Sequence, residues 1–220
     1  MFGKPVPSSA ALNVICASGD LEIGRAAGDG DCFFLSALAA MGLITPEEAA
    51  NPSDQTLNTI EQLRNACADK LAGSSCIGKQ ERVPASSFRK FEGLPEQEDE
   101  AMVAFKPWRA LGFWVGAPGL SAAMHFATAD YYATPIISLQ REIIDGKEVI
   151  FDPAIVYGQR TADNDLVMQT DSSGESVPPA LTLMPLEEVV KVIKSKKGTK
   201  SMPAVIIYDP SHFSPLLPNL

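Results

Sequence analysis

The sequence predicts an α+β fold, and three observations carry that expectation. Apolar residues recur at helical spacing in the first part of the chain, and runs of β-branched residues mix with helical patterns in the second. No fixed-period repeat or low-complexity block interrupts them. With 220 residues, the chain fits one domain, or one domain with decorated insertions, and 45% hydrophobic residues supply an ordinary core without staples.

The elements follow in order. After a polar, proline-containing start, LNVIC (12–16) is a short apolar run that reads as a strand. The glycine-rich turn AAGDGD (26–31) leads directly into CFFLSALAAMGL (32–43). Phe33, Phe34, Ala37, Leu38 and Met41 recur there at helical spacing, and Gly42 ends the run. From Pro52 to Ala72, Leu57, Ile60, Leu63, Ala66, Cys67 and Leu71 line one helical face, with Ser53 or Asp54 as the cap.

The stretch 73–110 mixes Gly, Pro and Ser with an acidic run, PEQEDEA, expected to start a solvated helix. Gly112–Ala117 contains Trp114 and leads into a predicted helix over Pro118–Tyr132, with its proline near N1. PIISLQREIIDGKEVIFDP (135–153) reads as strand, hairpin and strand, because Asp145–Gly146 is the two-residue turn that matches strand twist. Residues 158–180 are polar and read as an exposed loop, and Pro185–Lys194 reads as a helix whose basic end suits its C-terminus. AVIIYD (204–209) is expected to be a buried strand, with HFSPLL (212–217) paired beside it.

Eighteen basic and 27 acidic residues give a formal charge of −9. Such a surface repels phosphate backbones and anionic lipid, so neither nucleic acid nor a membrane is expected as a partner. No run reaches the ~18 apolar residues of a spanning helix, and the first residues lack the apolar core of a signal peptide. The reading is therefore a soluble, cytoplasmic protein with free thiols. Cys16, Cys32, Cys67 and Cys76 form no CxxC pair, and with two histidines no metal-ligand spacing exists. No metal and no cofactor are expected.

Cys32 stands apart from the other three cysteines. It follows Gly28-Asp29-Gly30-Asp31 and precedes an apolar helix. The unpaired N–H groups of a helix start carry partial positive charge, which is expected to lower a thiol pKa. The same groups can receive a developing oxyanion. A small buried cysteine after a common turn would look similar, so this segment alone does not decide the matter. A thiol nucleophile needs an imidazole, and only His125 and His212 are available. His125 lies inside AAMHFATADYY, where a structural role is expected. His212 follows the buried strand through Pro210–Ser211, a rigid platform from which to reach a helix start.

These blocks resemble the OTU (ovarian tumour) cysteine proteases. GDGDCFFLSAL is similar to their Asp-Gly-Asn/Asp-Cys-Leu/Phe-Phe signature, and VIIYDPSHFSPLL to their closing strand and His-Tyr/Phe segment. QLRNACADKL is similar to the Leu-Arg helix, and FWVGAPGLSAAMHFATADYYATPIISL to the Trp-Gly-Gly segment with its helix and strand. The four blocks occur in the family's order. The resemblance implies a papain-like fold, with a central mixed β-sheet flanked by helices. It implies a single domain over 1–220, with insertions near 73–110 and 158–180 that suit a viral or bacterial effector branch.

The resemblance also implies thiol-dependent hydrolysis at the C-terminal glycine of ubiquitin or a ubiquitin-like modifier, with a monomer acting on ubiquitin or polyubiquitin chains. If the chain is a secreted effector, it would act in host cytoplasm. Carried onto this chain, Cys32 is the nucleophile, His212 the base, and Asp29 shapes the oxyanion turn. Trp114 would sit beside the channel for the modifier's tail. Two departures stand out. Ser214 occupies the position where many members carry the Asp or Asn that orients the histidine, which leaves Asn13 or another group for that task. Trp-Gly-Gly reads Trp114-Val115-Gly116. Two other functions remain open: a different Cys-His acyl enzyme, such as an acyltransferase or amidase, and a non-catalytic binding module.

Overall fold

A computed structural model describes residues 3–74, 76–77, 83–91, 93–114, 122–158, 182–199 and 202–219. In chain order, β1 (Lys4–Pro7), α1 (Ser8–Gly19) and β2 (Leu21–Ile23) precede α2 (Cys32–Ala40), α3 (Pro46–Ala50) and α4 (Asp54–Ala72). Next come β3 (Cys76–Ile77), β4 (Val83–Pro84), α5 (Ala85–Phe91), α6 (Glu98–Ala104) and a 3-10 turn, Pro107–Arg109. The last part holds α7 (Ala122–Tyr131), β5 (Ile136–Ile144), β6 (Lys147–Asp152), β7 (Ala154–Tyr157), β8 (Thr182–Met184), α8 (Leu186–Lys196), β9 (Ala204–Asp209) and β10 (His212–Pro218).

The main sheet runs β1-β6-β5-β9-β10-β2, and β7 joins β5 and carries β8. Pairing is antiparallel except between β5 and β9, so the sheet is mixed, as expected. Successive residues of a strand point to opposite faces, and the two faces bury different helices. Ile136, Ala204, Ile206 and Phe213 pack with α2, α4 and α7. Ile137, Leu139, Val205, Ile207 and Leu216 pack with α1 and α8. The result is a sheet between two helical layers.

One predicted strand is a helix. LNVIC lies within α1, where Ser8, Leu12, Ile15, Ser18 and Gly19 are buried. A five-residue apolar run is compatible with either element, and the buried set takes helical spacing only once small polar positions are counted. The proline-containing start is β1, whose missing N–H groups are tolerated because it is an edge strand. α3 went unforeseen, although Thr45 and Glu48 form a reciprocal capping box at its start.

Other expectations agree with the fold. Ser53, not Asp54, caps α4 through the Thr56 N–H. Asp145 and Gly146, at φ +50° and +73°, turn the β5–β6 hairpin. The acidic start of α6 is exposed. Residues 115–121 and 159–181 lie outside the described residues, and with them Gly116, Pro118 and nearly all of the predicted loop. In 73–110, Arg89 is buried and donates to the carbonyls of Leu71, Ala72 and Gly73, closing the end of α4.

Candidate active site

Cys32 opens α2, a helix so apolar that every side chain from Cys32 to Ala39 is buried. Burying each large one contributes roughly 1.5–3 kcal/mol, which fixes the helix and therefore its first residue. The approach to Cys32 runs along the outer edge of β10: the Gly24 N–H bonds Pro215 O at 2.8 Å, and the Ala27 N–H bonds Ala49 O. Gly30 has φ +92°, and a Cβ there would stand 2.1 Å from the Gly112 carbonyl oxygen. Only glycine fits that close approach.

Asp31 occupies the N-cap position of α2 yet gives its side chain no capping bond. Its carboxylate instead accepts from Arg64 Nε at 2.7 Å and from the Gly112 N–H at 2.8 Å. Arg64 is completely buried. It also donates to the carbonyls of Gly30, Trp108 and Phe113, and its guanidinium lies 4.4 Å over the Phe34 ring. One cation thus binds the cysteine turn to the 108–113 segment. Reading Arg64 as part of an ordinary helix missed this, although its position between Ile60 and Cys67 on the apolar face demands a buried partner.

Burial pushes the Cys32 thiol up to about 11, against the expected lowering. The backbone N–H groups of Phe213 and Phe33 act in the opposite direction, favouring the thiolate, while the Asp29 carboxylate adds to the rise. The helix start does supply donors, but desolvation outweighs them. Asp29 Oδ1 also accepts from the Asp31 N–H at 3.4 Å, folding the turn back on itself.

His212 begins β10, directly after a two-residue turn in which Ser211 takes φ +77°. Its ring stands beside the cysteine turn: a Cβ added to Gly28 would meet His212 Nδ1 at 3.9 Å. The next residue, Phe213, turns its backbone N–H toward Cys32 and packs its ring on Phe33 at 5.4 Å. The turn that holds Asp29 and Cys32 and the His212–Phe213 start of β10 therefore lie side by side, although they come from opposite ends of the chain. Trp114 joins them through its contact with Phe213, the ring centroids 6.0 Å apart.

The remaining residues read from the sequence fall elsewhere. His125 is buried, stacked on Phe33 at 3.8 Å and edge-on to Tyr157 and Phe213, so it supports α2 from below. Cys67 is core, with its sulfur 3.7 Å from Thr128 Oγ1. Asn13 is exposed on α1, a helix that packs with α8. Ser214 is buried in register with Ile207. Among the described residues, no group of His, Cys, Asp and Glu could hold a metal ion, and no helix is long and apolar enough to cross a membrane.

Comparison with protein-family models gives no match, and comparison with curated proteins gives none. Among solved structures, the chain is similar to an OTU deubiquitinase from Wolbachia pipientis wMel, at 16% identity and TM-score 0.47, over 90% of this chain and 88% of that one. It is similar to the viral OTU domain protease of Dera Ghazi Khan virus at 12% identity and TM-score 0.46, over 90% and 80% of the two chains. The OTU of Hazara virus, solved bound to ubiquitin, is 12% identical with TM-score 0.46, over 97% of this chain and 86% of that one.

Proposed function

We propose that the chain is a cysteine deubiquitinase of the OTU type, with Cys32 as nucleophile and His212 as general base. The observation that carries this reading is the meeting of the Gly28–Cys32 turn with the His212–Phe213 start of β10 at the mouth of an apolar helix. In this reading the chain is one catalytic domain, and 73–110 and 158–180 are decorations on it.

The raised thiol shapes the mechanism. A sulfur that holds its proton at neutral pH attacks only as that proton leaves, so His212 takes it while the carbon–sulfur bond forms. Negative charge then moves onto the carbonyl oxygen, where N–H groups at the start of α2 receive it. The imidazolium protonates the departing amine, leaving a thioester between Cys32 and the modifier's terminal glycine. His212 next activates water, and hydrolysis restores the thiol. Asp29 gives the turn its shape, and Trp114 flanks the extended tail.

The same raised thiol also favours a second reading, a binding module that has kept the fold without the chemistry. A ubiquitin bearing a C-terminal electrophile separates the two. The hydrolase forms a covalent adduct on the peptide containing Cys32, and Cys32→Ala forms none. A protein that binds ubiquitin yet never forms the adduct is the module.

A further inference from the structure

His212 stands without the acid that the OTU pattern sets two residues after it, because Ser214 carries no charge to stabilise an imidazolium. A carboxylate lies on the other side of the hairpin. In the β9–β10 register, His212 is the direct partner of Asp209, closing the turn over Pro210 and Ser211. Direct cross-strand partners hold their Cβ atoms about 4.5–5.5 Å apart on one face, within reach of a short carboxylate and a ring.

The alternation along each strand fixes that face. Leu139, Ile207 and Leu216 are buried together in the core beneath α1 and α8. Two residues further on or back, Arg141, Asp209 and Ser214 continue the same rows toward the hairpin tip, and His212 follows two residues before Ser214. Arg141 grips Asp209 with both donors of its fork, Nε to Oδ1 at 2.5 Å and Nη2 to Oδ2 at 2.7 Å. The far side of Arg141 faces Glu148 at 3.8 Å. Charges thus alternate across four adjacent strands from β6 to β10, and the last position is the histidine. Each oxygen of Asp209 keeps a further acceptor site after binding arginine.

We propose that Asp209, held in place by Arg141, is the positioning residue for His212. This rests on the reading of His212 as a general base. Asp209 orients the ring, the part the absent acid at 214 would play. Arg141 fixes the carboxylate, so both residues are needed to hold the ring. The other titratable groups at this corner of the sheet are Tyr208 on β9, which Glu142 and Cys32 influence, and Glu148 on β6, which faces Arg141. None of them occupies the cross-strand position.

Imidazole 15N–1H correlation spectra test the proposal, and the chain's two histidines keep them simple. With a carboxylate accepting one ring N–H, wild-type His212 should hold a single neutral tautomer, and Asp209→Asn and Arg141→Gln should each give the mixed pattern of an unheld ring. On a fluorogenic ubiquitin C-terminal amide, Asp209→Asn should cut kcat about tenfold or more, with KM within about twofold. Ser214→Ala should leave the ring spectrum unchanged. If Asp209→Asn does not fold, the spectrum of Arg141→Gln decides. The same tautomer pattern in wild type and both variants would overturn the proposal, reducing the ion pair to a hairpin brace. The spectra are read whether or not the protein hydrolyses ubiquitin amides. An inactive wild type whose ring pattern responds to both substitutions would therefore refute the hydrolase while leaving the positioning role standing.

Discussion

The cysteine side and the histidine side of the site are built in opposite ways. Cys32 sits on a wholly buried helix, behind a turn pinned by a fully buried arginine that touches four separate backbone or carboxylate positions. His212 sits at a hairpin tip, half-exposed, and the strand opposite it carries the Asp209 end of an ion pair that solvent reaches. The contrast extends to backbone strain. The cysteine turn meets its left-handed position with Gly30, packed against a carbonyl, whereas the hairpin places Ser211 at φ +77°. Under the proposed function, the buried helix holds the sulfur in place, and the imidazole stands on the more exposed of the two elements.

The largest expected effect is on the buried cation. Arg64→Leu leaves the Asp31 carboxylate buried without its partner, which should cost about 3–5 kcal/mol of stability in urea unfolding. No substitution at Arg141 should approach that loss, because its pair is part-exposed. Second is Gly30→Ala, where both φ and the 2.1 Å approach to Gly112 O oppose a side chain. A loss of at least ~1–3 kcal/mol is expected, with a fall in any Cys32-dependent activity. The mirror experiment is Ser211→Gly, which removes strain at the hairpin and should change stability by no more than about 1 kcal/mol, in the favourable direction.

A smaller effect sharpens the electrostatic contrast. The Asp29 charge holds the Cys32 thiol up, so removing it lowers the thiol pKa and increases the thiolate fraction at any pH below it. Asp29→Asn should therefore speed alkylation of Cys32 by iodoacetamide at pH 8 roughly two- to fivefold, and peptide mapping by mass spectrometry reads it. Slower alkylation would mean that the turn, not the charge, governs the sulfur.

Much of this architecture was legible in the residues, for definite reasons. α2 announces itself because a glycine turn precedes an unbroken apolar run, and the β5–β6 hairpin because Asp145–Gly146 can only be a tight turn. β9 and β10 each hold an apolar run, AVII and PLL, and a proline turn lies between them. α1 was misread because its buried face mixes Ser8, Ser18 and Gly19 with two large apolar residues, which dilutes the helical period. The thiol pKa was misjudged because sequence shows a helix start but not how deeply it is buried. Arg64 was visible yet unassigned, since its partners lie 33 and 44 to 49 positions away. Asp209 hid in the same way: its pairing with His212 depends on a strand register that composition does not reveal.

The pairing of Cys32 with His212 is tested most directly by a double-mutant cycle on a fluorogenic ubiquitin C-terminal amide. Two residues acting as one machine lose the same activity singly or together, so Cys32→Ala, His212→Ala and the double variant should all fall to one shared background. Near wild-type turnover by His212→Ala, or turnover surviving in Cys32→Ala, would contradict the account.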